Sequence, residues 1–163
     1  MPHIAHRYVI ILERTARDAL AQLDGLSDDV LNRPVPMPEA NSLYALATHL
    51  AGAGEFWAVT LPGNRTTDRD RSAEFRATGT FAELSSRYER WIADLHVVLD
   101  ELPDEALDRA SEVPISSHWP TADNPPTIRD CLLHAVEHSA LHLGHIQLTV
   151  QLFQNGVWDT HPA

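Results

Sequence analysis

Between Thr127 and the Asn155-Gly156 pair, core-type positions return at alternating steps of three and four: Ile128, Cys131, Ala135, His138, His142, His145, Thr149 and Leu152. That period belongs to an α-helix with one inward face, and Asn155-Gly156 is a good left-handed C-cap pair. Three further segments repeat the pattern. The first, "HRYVIILERTARDALAQL", sets Tyr8, Ile11, Leu12, Thr15, Ala16, Ala19, Leu20 and Leu23 on one face. The second, "LYALATHLAGAGEFWAVTL", opens at a cap on Asn41 or Ser42 and stops at Pro62-Gly63. The third starts after Thr80, carries Phe81, Leu84, Tyr88, Trp91, Leu95, Val98 and Leu102 on its core face, and ends at Pro103.

Residues 26–42 read as a Pro-containing connection with at most a short turn, and 111–126 as a second Pro-rich loop with a short extended piece at "EVPIS". The segment 62–80 is polar and aperiodic, yet far longer than the two to about eight residues that usually join antiparallel helices. A connection of that length can run the length of a bundle. The expected fold is therefore all-α, an antiparallel four-helix bundle with up-down-down-up topology and a long crossover between helices 2 and 3. The 163 residues are expected to form a single domain, 1–163.

The net charge of -11, with only 12 Lys and Arg, argues against nucleic acid or anionic lipid as a partner. The short apolar run "YVIIL" is followed at once by Glu13 and Arg14, so neither an export signal nor a membrane span is expected there. A single cysteine, Cys131, allows no internal disulfide and fits a reducing cytoplasm. Set in an apolar helical pattern with no cationic neighbour, Cys131 is expected to be a buried structural thiol.

The stretch "HAVEHSALHLGH" holds four histidines in twelve positions, 134 to 145. At about 100° per residue the rings of His134, His138, His142 and His145 fall within roughly 80° of one another. One imidazole on an apolar face is usually a hydrogen-bonded core or rim group. Four together are costly, because each buried ring loses about 1–3 kcal/mol unless its nitrogens find partners. A shared divalent ion removes that cost, and histidines at i and i+4 lie close enough to reach one ion. A catalytic zinc-type centre usually needs a third protein ligand. Among the other histidines, His49 lies at the interior edge of helix 2, where Gly52 and Ala53 leave space beside its ring for an exchangeable ligand. His96 follows the core face of helix 3 poorly and is expected at the surface or rim, His118 lies in the Pro-rich loop, and His3, His6 and His161 are near the termini.

His49, followed some ninety positions later by H-x-x-x-H-x-G-H at 138–145, resembles the DinB-like (YfiT-like) superfamily of bacterial four-helix-bundle metalloenzymes. "NSLYALATHLAGAGEFW" is similar to that family's second helix and "TIRDCLLHAVEHSALHLGHIQL" to its last. The resemblance implies an up-down-down-up bundle, homodimerisation, and a divalent ion, zinc or nickel, bound by His49, His138 and His142. It also implies a low-molecular-weight thiol as cosubstrate, since some relatives act as thiol S-transferases or thiol-dependent isomerases. Many members read H-R-G-Q where this chain has "HLGH", so Leu143 replaces the usual Arg and His145 the usual Gln. His145 is then a fourth ligand, an acid/base group or polar lining.

The same letters fit other motifs less well. "HAVEH" matches the inverted zinc-protease pattern H-x-x-E-H, but that pattern takes an acidic ligand from far downstream, and the only carboxylate side chain after His138 is Asp159. A di-iron bundle needs E-x-x-H on two helices, and no Glu here has His three positions later. The expected function is a metal-dependent enzyme in which the ion activates a thiol or water for a small-molecule substrate. The alternatives are a metal-dependent hydrolase and a non-catalytic metal-binding bundle with His145 closing a four-ligand shell. His145 and Glu137 are the candidate proton-moving groups, although Glu137 projects about 100° away from His138. Phe56, Trp57 and Trp119 are candidate walls.

Overall fold

The computed structural model describes residues 4–112 and 125–157, and among these every regular element is helical. In chain order these are α1 (Ile4–Leu23), α2 (Asp28–Asn32), α3 (Leu43–Glu55), which continues into a π-helical turn at Phe56–Thr60, α4 (Arg71–Glu74), α5 (Phe81–Leu99), a 3₁₀ turn at Asp104–Asp108, and α6 (Ile128–Gln154). An isolated bridge pairs Ala110 with Thr127. "EVPIS" runs past the described residues, and Trp119, His3, His118 and His161 lie outside them. No helix among the described residues is long and apolar enough to cross a membrane.

Local chemistry explains where the helices begin. The Ser42 hydroxyl accepts from the Ala45 amide to open α3, and capping boxes open α5 (Thr80 with Glu83) and α6 (Thr127 with Asp130). Gly156, at φ +63°, follows the end of α6 as the expected C-cap residue.

The four long helices enclose one apolar core. Helix α1 packs on α5 and α6, and α3 packs on the same two partners. Helix α3 is buried from Leu43 to Gly54, while α1 and α5 bury one stripe each. On α5 the buried stripe includes Leu84, Tyr88, Trp91 and Leu95, as their period predicts. The Tyr88 hydroxyl donates to the Ala47 carbonyl at 2.9 Å, and a Cβ at Gly54 would overlap the Trp91 ring.

Helix α6 differs in phase from the sequence expectation. Its buried line is Ile128, Cys131, Leu132, Ala135, Ser139, Ile146 and Val150. Beside it, His138, His142, Thr149 and Leu152 are only half-buried, and His145 is exposed. The histidines therefore flank the core instead of forming it, along the side where α6 meets α3.

Candidate metal centre

His49 is 2% exposed, carried on the helix with the most complete burial. Its Nε2 lies 3.3 Å from Nε2 of His138, and its ring centroid is 4.8 Å from that of His142. His138 and His142, one turn apart on α6, have ring centroids 4.4 Å apart. One nitrogen from each of the three rings lies within 4.8 Å of the others. Two further observations bear on whether an ion fits. Nitrogens bound tetrahedrally at the usual zinc–imidazole distance sit about 3.3 Å apart, the separation seen between His49 and His138. The Nδ1 atoms of His138 and His142 are buried with no hydrogen-bond partner; on His138 the nitrogen turned toward His49 is Nε2, so an ion shared there would leave that Nδ1 as it is.

The electrostatics suit lone-pair donation. Burial first, and the neighbouring imidazoles second, push His138 down to about 3 and His142 down to about 4. Both rings are neutral at pH 7, the form that binds a metal ion.

His49 has a partner that sequence reasoning missed. Oε2 of Glu74 lies 2.7 Å from its Nδ1, and Glu74 is 5% exposed. Arg69 grips the same carboxylate, Nε to Oε1 at 2.6 Å and Nη2 to Oε2 at 2.8 Å. Burial pushes the Glu74 carboxyl up, but the hydrogen bonds from Arg69 and His49 outweigh it and hold it below the ordinary value. Phe75 covers His49 at 4.4 Å between centroids. All three residues come from the polar crossover, where the Asp70 side chain caps the four-residue α4. The one available signal was Asp70 as a capping residue before "RSAEF". The space expected beside His49 at Gly52 is taken by Glu74, whose carboxylate a Cβ at Gly52 would meet.

The remaining candidates fall around this centre. His134 is half-buried, with its ring 4.4 Å from Trp57 and 5.6 Å from His138. His145 is exposed and its ring lies 5.4 Å from His142; it is not part of the close three-histidine group. Glu137 has a side chain 82% exposed and lies 4.0 Å from Nδ1 of His134. His96 sits at the rim, bonded to Asp100 at 2.8 Å and Glu13 at 3.0 Å. Cys131 is buried, and desolvation pushes its thiol up to about 12.

The π-helical turn, closed by the Leu61 amide on the Phe56 carbonyl at 3.1 Å, sets two of the candidate walls. Trp57 meets His134. Phe56 lines a cleft of about 400 Å³ together with Thr48, Arg69, Glu74 and Arg87. None of the three clustered histidines lines that cleft, which shares Glu74 with them.

Comparison with known proteins agrees with this architecture. The chain is similar in fold to a crystal structure described as the conserved protein of locus from Enterococcus faecalis, with a TM-score of 0.74 and 16% identity, covering 93% of this chain and 98% of that one. At that identity the likeness speaks to fold alone. None of the curated proteins matches the chain. The family model described as the DinB superfamily matches residues 11–146, a span that holds His49, His138 and His142. The chain belongs to the DinB superfamily.

Proposed function

We propose that this DinB superfamily protein binds a divalent metal ion through His49, His138 and His142 and uses it as an enzyme on a small-molecule substrate, in the manner of a thiol S-transferase. The observation that carries the proposal is the three-imidazole cluster, in which Nε2 of His49 and Nε2 of His138 lie 3.3 Å apart. Imidazole donors suit zinc and nickel alike. When bound, such an ion supplies Lewis acidity, which makes an anionic nucleophile available at neutral pH from a low-molecular-weight thiol or from water.

The protein's own groups supply the rest. His138 and His142 are held neutral by burial, with lone pairs available. His145, exposed beside His142, is the proposed proton-moving group, whereas Glu137 lies against His134, outside the three-histidine cluster. A closed four-ligand storage shell is disfavoured because His145 stands outside the cluster.

The topology proposed is a single up-down-down-up bundle. Pairings of Glu13 with His96 and Arg17 with Glu89 support an antiparallel α1 and α5. Tyr44 and Glu83, which meet beside Gly79, and the Trp91 ring against Gly54 support a parallel α3 and α5 across the long crossover. Trp57 beside His134 and His49 beside His142 support an antiparallel α3 and α6. Exposed Leu133, Leu141 and Leu148 on α6 favour a homodimer, and the lone buried thiol favours a cytoplasmic setting.

Elemental analysis of protein purified without a histidine tag tests the central point. Wild type is expected to carry about one divalent ion per chain, and a His138→Ala, His142→Ala double variant is expected to carry none. Equal metal content in the two would overturn the proposal. With metal present, cleavage of esters or amides without a thiol requirement would replace the transferase with a hydrolase.

A further inference from the structure

His49 is approached by one short stretch of the crossover on its edge and on its face. Glu74 meets Nδ1, the next residue Phe75 covers the ring, and Arg71 lies over Phe75 at 5.1 Å. A carboxylate accepts hydrogen bonds and does not donate them, so at 2.7 Å from Oε2 the proton of His49 belongs on Nδ1. In the neutral ring Nε2 is then the bare nitrogen, and Nε2 is the atom that faces His138. Arg69 holds both carboxylate oxygens in the two-pronged geometry that fixes the carboxylate plane. The slot into which the carboxylate fits exists because residue 52 has no Cβ.

We infer that Arg69, Glu74 and His49 form a hydrogen-bonded relay that locks His49 in one tautomer, with the proton on Nδ1 and the lone pair on Nε2 aimed at the histidine cluster. Glu74 is a positioning residue and Arg69 its anchor. The relay deepens the proposed metal function and rests on it for metal affinity alone, because the tautomer is a property of the metal-free chain.

The side-chain amide of Glu74→Gln can either accept from Nδ1–H or donate to a bare Nδ1, so it removes the tautomer preference while keeping the shape. Long-range ¹H–¹⁵N spectra of metal-free, ¹⁵N-labelled protein report which ring nitrogen carries the proton. Wild-type His49 is expected as the Nδ1–H tautomer and Glu74→Gln as a mixture. Chelator competition with zinc is expected to show affinity reduced about 10- to 100-fold in Glu74→Gln. Arg69→Lys, which keeps the charge and loses the two-pronged grip, is expected to lie between the two. A purely structural ion pair would leave the tautomer unchanged. The same His49 tautomer in wild type and Glu74→Gln, or equal zinc affinity in the two folded proteins, would overturn the inference. A wild type that takes up no zinc would sink the metal function instead, and the tautomer spectra would still decide the relay.

Discussion

Gly52→Ala is the smallest change that reaches the candidate centre. The added methyl would meet the Glu74 carboxylate, with Nη2 of Arg87 also close at 3.1 Å. The neighbour that must move is a buried carboxylate held by Arg69 and His49. Forcing a methyl into a filled interior costs about 1–3 kcal/mol. Losing the charge-assisted bond to His49 costs a further ~2 kcal/mol. Against this, alanine is favoured over glycine inside a helix by about 1 kcal/mol. The net destabilisation is about 2–4 kcal/mol. For a chain of this size each kcal/mol lowers the melting temperature by roughly 2–4 °C, so circular dichroism melting should show a fall of about 5–15 °C. A Gly52→Ala protein that melts at or above wild type would refute the account, because helix propensity would then be the only contribution felt.

Gly144→Ala should do the opposite. This exposed glycine lies inside α6 with no atom within 4 Å of a would-be Cβ, so dilute protein should melt about 2–4 °C higher, and a fall would show that something covers the position. The Asp100 and Glu13 hydrogen bonds hold the His96 pKa above its ordinary value. The stability this adds is fully present below the unfolded value of about 6.5 and is lost as pH rises through the raised one; denaturation series at several pH values should show that slope, and His96→Gln should remove it. With its thiol buried and pushed up to about 12, Cys131 should resist alkylation at pH 8 in the native protein and react readily in denaturant; fast native labelling would contradict its placement.

The legible parts of the chain are those whose signal is local. Leu84, Tyr88, Trp91 and Leu95 repeat at helical spacing and become the buried stripe of α5, and Thr80 and Thr127 are good caps whose acidic partners sit three residues on. The four-histidine stripe was legible too, since its rings lie in sequence along α6 at 4.4–5.6 Å between centroids. Its phase relative to the core was not. Helix α6 has leucines at 133, 141 and 148 on the exposed side, so its apolar residues surround the axis too evenly for period alone to separate the Ser139–Ile146–Val150 line from the histidine line. Glu74 was hidden for a different reason. Its partners are Arg69 on the same aperiodic segment and His49, twenty-five positions away on another helix, and no local pattern marks a carboxylate that is buried only after the crossover closes over Gly52.

The enclosure of α3 has a consequence for how the chain is made. Helix α3 is buried along its length from Leu43 to Gly54; α1, α2 and α4 touch it, but α5 and α6 pack on it most extensively, and α6 ends at Gln154. One hundred residues separate Gly54 from Gln154. At the roughly 5–20 residues per second of translation, the most apolar segment of the growing chain waits on the order of 5–20 s for its last cover. During that interval the face that α6 will cover stays open to the cell. Synonymous-codon changes that slow translation between α3 and α6 should therefore lower the soluble yield, whereas the same slowing within the first twenty codons should not.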